Sequence, residues 1–165
     1  MSAALLLGLA LSLGCGGDDL ETWVRALDAA PEPKWSEAFD HLVELGPSAA
    51  RRVLEDFERV DATARRGRAE LLAEIPDPDQ CERVLQLLDD PDPGVRRRLA
   101  RGLGDLALAD TAAPSRVARL EELARADQDA DVRTAARDAL AESALPEAVA
   151  ALDRLLDAEI GRAHV

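Results

Sequence analysis

Few side chains in this sequence carry the chemistry of a nucleophile, a proton relay or a metal ligand. The cysteines are Cys15 and Cys81, and the histidines are His41 and His164. No C-x-x-C or H-x-x-x-H spacing joins them, so a structural zinc site is not expected. A catalytic thiol needs a histidine partner and a cationic setting. Cys81 has neither in the pattern around it and reads as a small buried hydrophobe on the apolar side of a helix. His41 lies beside the apolar stripe of another helix and reads as a partly exposed helical residue. Acids are abundant, yet no carboxylate pair stands apart from the general acidic surface. No catalytic residue, metal or cofactor is expected on these grounds.

What is abundant is charge carried on alanine- and leucine-rich segments. The chain of 165 residues holds 33 acids and 20 bases, a formal net charge of −13, with 2% aromatics and no tyrosine. Every base but Lys34 is an arginine. Such a composition favours helix almost everywhere and strand almost nowhere. The charge repels nucleic acid, and the arginines clustered at Arg65, Arg96 and Arg133 are interleaved with acids. The scarcity of aromatics removes stacking platforms for bases as well. Nucleic acid is therefore not an expected partner.

The helices that position these charges come in repeated units. Residues 92–106 open on a capping acid and carry Val95, Leu99, Leu103 and Leu106 on one stripe of period 3.6. The same opening recurs at Asp61 and Asp129, which lie 31 residues before and 37 residues after Asp92. We expect a short capping helix bearing Leu20, Trp23, Val24 and Leu27 within residues 15–33, and then four helix pairs. The pairs occupy residues 34–60, 61–91, 92–128 and 129–160, and 161–165 form a frayed tail. In the first pair Trp35, Phe39, Leu42 and Leu45 line one helix, and Ala50, Val53, Leu54 and Phe57 line its partner across Gly46-Pro47. In the second, Arg68 stands where the next repeat has Leu99, so a weaker inner contact is expected there.

The string Leu42-Val43-Glu44-Leu45-Gly46-Pro47-Ser48-Ala49-Ala50, and the aligned acid, apolar residue and arginine of the later units, resemble the HEAT family over about residues 34–158. The resemblance implies an all-α solenoid of about four antiparallel helix pairs. It says little about activity, because such arrays serve mainly as binding scaffolds. Asp61, Asp92 and Asp129 are expected N-caps, each worth about 1 kcal/mol. Arg65, Arg96 and Arg133 then fall in the first helical turn, where the dipole disfavours a cation. An unfavourable residue placed three times calls for a compensating contact, and an Asp–Arg ladder between repeats is expected to supply it, a feature the resemblance also implies.

Second helices usually line the concave surface of such arrays. Their polar positions here are Glu55, Glu58, Glu82, Gln86, Glu122, Asp153 and Asp157, so a protein partner of basic character is expected. One branch of the family, the phycobilisome lyase type, handles a bilin chromophore, and the resemblance leaves that cytoplasmic, enzymatic alternative beside the scaffold.

Residues 3–13 are an uncharged apolar run, too short to span a bilayer but of the length of a secretory signal core. With Leu11-Ser12-Leu13-Gly14-Cys15 they resemble a bacterial lipoprotein signal, although Ser12 and Leu13 stand in exchanged order relative to the usual box. The resemblance implies removal of residues 1–14, lipid on Cys15, and a scaffold held in the cell envelope by that anchor. The expected outcome is a diacylglyceryl or triacyl adduct on Cys15 when the mature protein from its native host is weighed by mass spectrometry. An intact Met1 would sink the expectation.

Overall fold

The computed structural model describes residues 16–29, 34–75, 77–105 and 113–163. Residues 1–14, Cys15, Leu106 and His164 lie outside the described residues. Nine α-helices and no strand occur among the described residues: α1 (Gly16–Ala29), α2 (Lys34–Leu45), α3 (Pro47–Glu55), α4 (Ala62–Glu74), α5 (Cys81–Leu87), α6 (Pro93–Asp105), α7 (Ala113–Ala126), α8 (Ala130–Glu142) and α9 (Pro146–Ala163). No helix among them is long and apolar enough to cross a membrane.

The helices stack in two rows. In the first, α4, α6 and α8 lie side by side, and α1 continues that row against α4. In the second, α7 packs along α8 and α9. The N-terminal end departs from the expected hairpin with a separate cap. The helix α2 packs on α1 more extensively than on α3, and α1, α2 and α3 all touch α4. The turn from α2 to α3 follows its sequence: Gly46 takes φ +59° and donates its N–H to the carbonyls of Leu42 and Val43. At the other end α9 runs on to Ala163, past the point where fraying was expected.

The apolar stripes form one continuous core. Val95, Leu99 and Leu103 of α6 are buried together with Leu71 of α4 and Val132, Ala136 and Leu140 of α8. Burying a leucine stabilises by about 1.5–3 kcal/mol, so these stripes are the main favourable term.

Small residues set how closely the first row packs. A Cβ on Gly102 would lie 2.4 Å from the Ala73 Cα of α4, and one on Gly104 would lie 2.8 Å from the Ala139 Cα of α8. These two glycines let α6 seat against both neighbours, a role that periodicity does not reveal. Alanine in a helix interior ordinarily gains about 1 kcal/mol over glycine. Against backbone atoms at that distance the overpacking cost of about 1–3 kcal/mol wins. Gly102→Ala is therefore expected to lower stability by up to about 2 kcal/mol, the overpacking cost less the propensity gain, in urea unfolding. Gly161→Ala, with nothing within 4 Å of its added carbon, should be neutral or slightly stabilising. Equal effects at the two positions would refute the close-approach argument.

Candidate functional site

Three acids open first-row helices as caps. The Asp61 carboxylate accepts from the N–H groups of Thr63 and Ala64 at 2.8 and 2.9 Å. Asp129 accepts from Asp131 and Val132 at 2.9 and 3.1 Å, and Asp92 from Val95 at 3.1 Å. Each satisfies backbone donors that have no partner within the helix.

A ladder joins the repeats, but its rungs use different acids from those expected. Arg65 donates from Nε to Asp90 at 2.8 Å, and Arg96 donates from Nε and Nη2 to Asp127 at 2.8 Å each. Asp90 and Asp127 stand two residues before the caps Asp92 and Asp129, whose N–H groups they also accept. The third nitrogen of each fork turns back to a carbonyl ahead of its own helix, Val60 for Arg65 and Asp90 for Arg96. The caps are already occupied by backbone N–H groups, so the carboxylate outside the helix is the one free to face the neighbouring arginine. Only Asp92 does both, accepting from Arg66 Nε at 2.9 Å. Arg133 makes the same turn back to the carbonyls of Asp127 and Gln128 at 2.8 and 3.2 Å. Its Nε and Nη2 meet no carboxylate among the described residues.

These contacts set the acidity of the rungs. The Arg66 guanidinium, assisted by the Val95 and Gly94 N–H groups, lowers the Asp92 carboxyl to about 2 against the burial that would raise it. Burial would also raise Asp127, but Arg96 and the Asp129 N–H outweigh it and hold that carboxyl below the ordinary value of 3.8. A depressed acid stabilises the fold fully above its unfolded pKa, and the contribution fades as pH falls through the folded value. For Asp92 that window runs from 3.8 down to about 2.

Arg68 is the largest departure from the sequence reading. Far from weakening the inner contact, it is 2% exposed and fully engaged. Nε and Nη2 grip Asp28 of α1 at 2.8 and 2.6 Å, while Nη1 reaches Asp56 and the Val53 carbonyl. One guanidinium thus joins α1, the end of α3 and α4.

In the second row the residues proposed for partner contact are all exposed: Glu55, Glu58, Glu82, Gln86, Glu122, Asp153 and Asp157. They are not a uniformly acidic strip. Arg83 bridges Glu58 and Gln86, and Arg119 bridges Glu122 and Asp89. Arg154 holds Glu121 of the preceding repeat at 3.0 and 2.6 Å. Glu82, Asp153 and Asp157 pair with no cation among the described residues. Of the reactive side chains, Cys81 is 2% exposed, and His41 is half-buried with its ring 4.6 Å from that of Trp23. No group of His, Cys, Asp and Glu suited to a metal occurs among the described residues.

An open cleft of about 810 Å³ lies where α1, α2 and α4 meet. Trp35 and Phe39, stacked at 5.1 Å, form one wall, and Arg66, Glu70 and Arg98 form the polar rim.

The fold finds its counterpart in known proteins. The HEAT repeats family matches residues 52–141, more than half of the chain. The chain belongs to the HEAT-repeat family. Among solved structures, this HEAT array is similar to a chain in the complex of CpcE and CpcF of phycocyanin lyase from Nostoc sp. PCC7120. The TM-score is 0.72 at 24% identity, over 85% of this chain and 89% of that one. At that identity the likeness speaks for the fold. No curated protein matches the HEAT chain in sequence.

Removing one member of a buried ion cluster strands the others, at about 3–5 kcal/mol. Arg68→Leu is therefore expected to lower stability by about that much in urea unfolding, although leucine is the residue used at the matching Leu99. Arg98→Leu, whose partner Glu70 is a surface acid, should cost about 0–1 kcal/mol. A tolerated Arg68→Leu would remove the clamp from the account.

Proposed function

We propose that this HEAT array is a protein-binding scaffold, one subunit of a larger assembly. The observation that carries the reading is the division of labour among its charges. Arginines hold seams between repeats, whereas Glu82, Asp153 and Asp157 stand exposed along the second row and pair with no cation among the described residues. A surface with fixed spacing and unspent carboxylates suits a partner that presents basic side chains at matching intervals. The likeness to a chain from a two-protein complex supports a protein partner.

A second reading has a specific observation behind it. The cleft walled by Trp35 and Phe39 has the size of a small-molecule site. With the likeness to a phycocyanin lyase complex, it favours handling of an apolar prosthetic group bearing carboxylates, such as a bilin. Such a ligand would compete for Arg66 and Arg98 with Asp92 and Glu70. That competition places this reading second. Export through the leader with a lipid on Cys15 goes with the scaffold, whereas the second reading goes with a cytoplasmic protein.

Affinity capture of the full chain from its native host tests both. A specific protein should co-purify, and Glu82→Arg combined with Asp157→Arg should reduce its recovery about tenfold, as should raised salt. Retention of no protein would refute the scaffold. Visible absorbance travelling with the purified chain, and lost in Trp35→Ala, would shift the function to the second reading.

A further inference from the structure

The floor of the cleft between α1, α2 and α4 is a glycine. Gly67 lies inside α4, where glycine weakens a helix relative to alanine, and counted from the capping acid α6 has Arg98 at the matching place. A Cβ on Gly67 would lie 3.2 Å from Trp35 Nε1 and 3.7 Å from the Leu27 carbonyl oxygen. The bare backbone gives the indole edge a seat on α4 and leaves the cleft open down to the helix.

The rim is charged but already neutralised. Arg66 is held by Asp92, Arg98 by Glu70, and Asp28 by Arg68. A charged ligand would have to displace one of these partners, so the rim suits an uncharged one. What it keeps is hydrogen-bond donors. Arg66 spends Nε and Nη2 on Asp92, and Arg98 spends Nε on Glu70 and Nη1 on the Gly94 carbonyl. Arg66 Nη1, Arg98 Nη2 and Trp35 Nε1 meet no acceptor among the described residues. Beside them stand the stacked rings of Trp35 and Phe39. The set calls for flat apolar surface joined to uncharged carbonyl oxygens, with few N–H groups to strand against the donors of the rim.

We propose that this cleft docks an uncharged, proline-bearing extended segment of the protein partner. Proline lacks an N–H, so such a segment presents carbonyls and leaves no donor of its own unanswered. Its ring packs on aromatic faces, and its backbone is largely ordered before it binds. Trp35 and Phe39 take the proline rings, while the free nitrogens of Arg66, Arg98 and Trp35 take the carbonyls. The proposal rests on the protein-binding reading: it names what the partner presents, at a site separate from the second-row acids.

The test is site-specific photocrosslinking of the full chain in its native host. A benzophenone amino acid replaces the exposed Thr63 at the cleft in one variant and the exposed Glu82 in another, and the crosslinked peptides are sequenced. The expected product at Thr63 joins a segment of another protein that contains proline with no charged residue beside it. Alanine in place of that proline should lower the yield about tenfold. Gly67→Leu, which fills the floor with a good helix former, should lower it as much. Trp35→Phe keeps an apolar wall but removes the N–H, and should lower it about threefold to tenfold. Unchanged circular dichroism confirms that both variants fold. Products at Glu82 with none at Thr63 would overturn this proposal and leave the scaffold standing. Thr63 products that join a charged segment, a segment without proline, or other residues of this chain would overturn it as well. A carboxylate-bearing small molecule crosslinked at Thr63 would overturn it in favour of the second reading. Silence at both positions would remove the scaffold reading with it.

Discussion

An arginine in the first turn of a helix faces the positive end of the helix dipole, a placement that costs about 0.3–1 kcal/mol. This fold makes that placement in α4, α6 and α8, and in α4 and α6 answers it from outside the helix. Backbone carbonyls ahead of the helix take one nitrogen, and an aspartate of the following repeat takes the other two. The contact cannot form within a single hairpin, so it couples neighbours rather than strengthening each unit alone. Its acids are well shielded, with the Asp90 and Asp127 side chains each 5% exposed. Desolvation at that depth offsets much of the Coulombic gain. The rungs therefore fix register and spacing, while the leucine and alanine stripes supply the bulk of the free energy.

Close packing in the first row makes that register unforgiving. With Gly102 against Ala73 and Gly104 against Ala139, α6 cannot slide along either neighbour without driving a side chain into backbone. The seam between α1 and α4 is made differently. Arg68 occupies the place of an inner leucine and holds Asp28 and Asp56. A buried guanidinium is costly unless every donor is used, and here they are spread over α1, Asp56 and the Val53 carbonyl. The N-terminal unit, with three helices instead of two, shares the apolar core and adds a polar clamp at the position where α6 places Leu99.

The apolar periodicity and the capping aspartates were legible because each is a local property of a helix. Stripes such as Val95, Leu99 and Leu103 repeat every turn, and an N-cap acts over three residues. What escaped sequence reasoning was set between repeats. The true rung acids, Asp90 and Asp127, differ from the caps by two positions, and their separations from Arg65 and Arg96 are 25 and 31 residues. Irregular connections hide so variable a spacing. A signal was present in the Asp-x-Asp pairs at 90 and 92 and at 127 and 129, where two carboxylates stand for one capping task. For Arg68 no pattern points to its partners, because Asp28 lies 40 residues away in a helix outside the repeat pattern. The second-row acids are exposed, and their pairing with Arg83 and Arg119 depends on contacts between helices that no single stretch displays.

The same geometry decides what the first-row arginines face. Arg65, Arg66, Arg96, Arg97 and Arg98 crowd one row, and by number alone they would make a basic stripe. Each is held by a carboxylate from an adjacent helix or linker. A phosphate backbone would have to displace several of these acids at once while the net charge of −13 opposed its approach. Neutralisation inside the seams leaves the acid surplus to the outer surfaces. Rigidity suits those surfaces to binding. A solenoid whose register is fixed by rungs gives up little conformational entropy on binding, so exposed side chains at moderate density suffice for recognition.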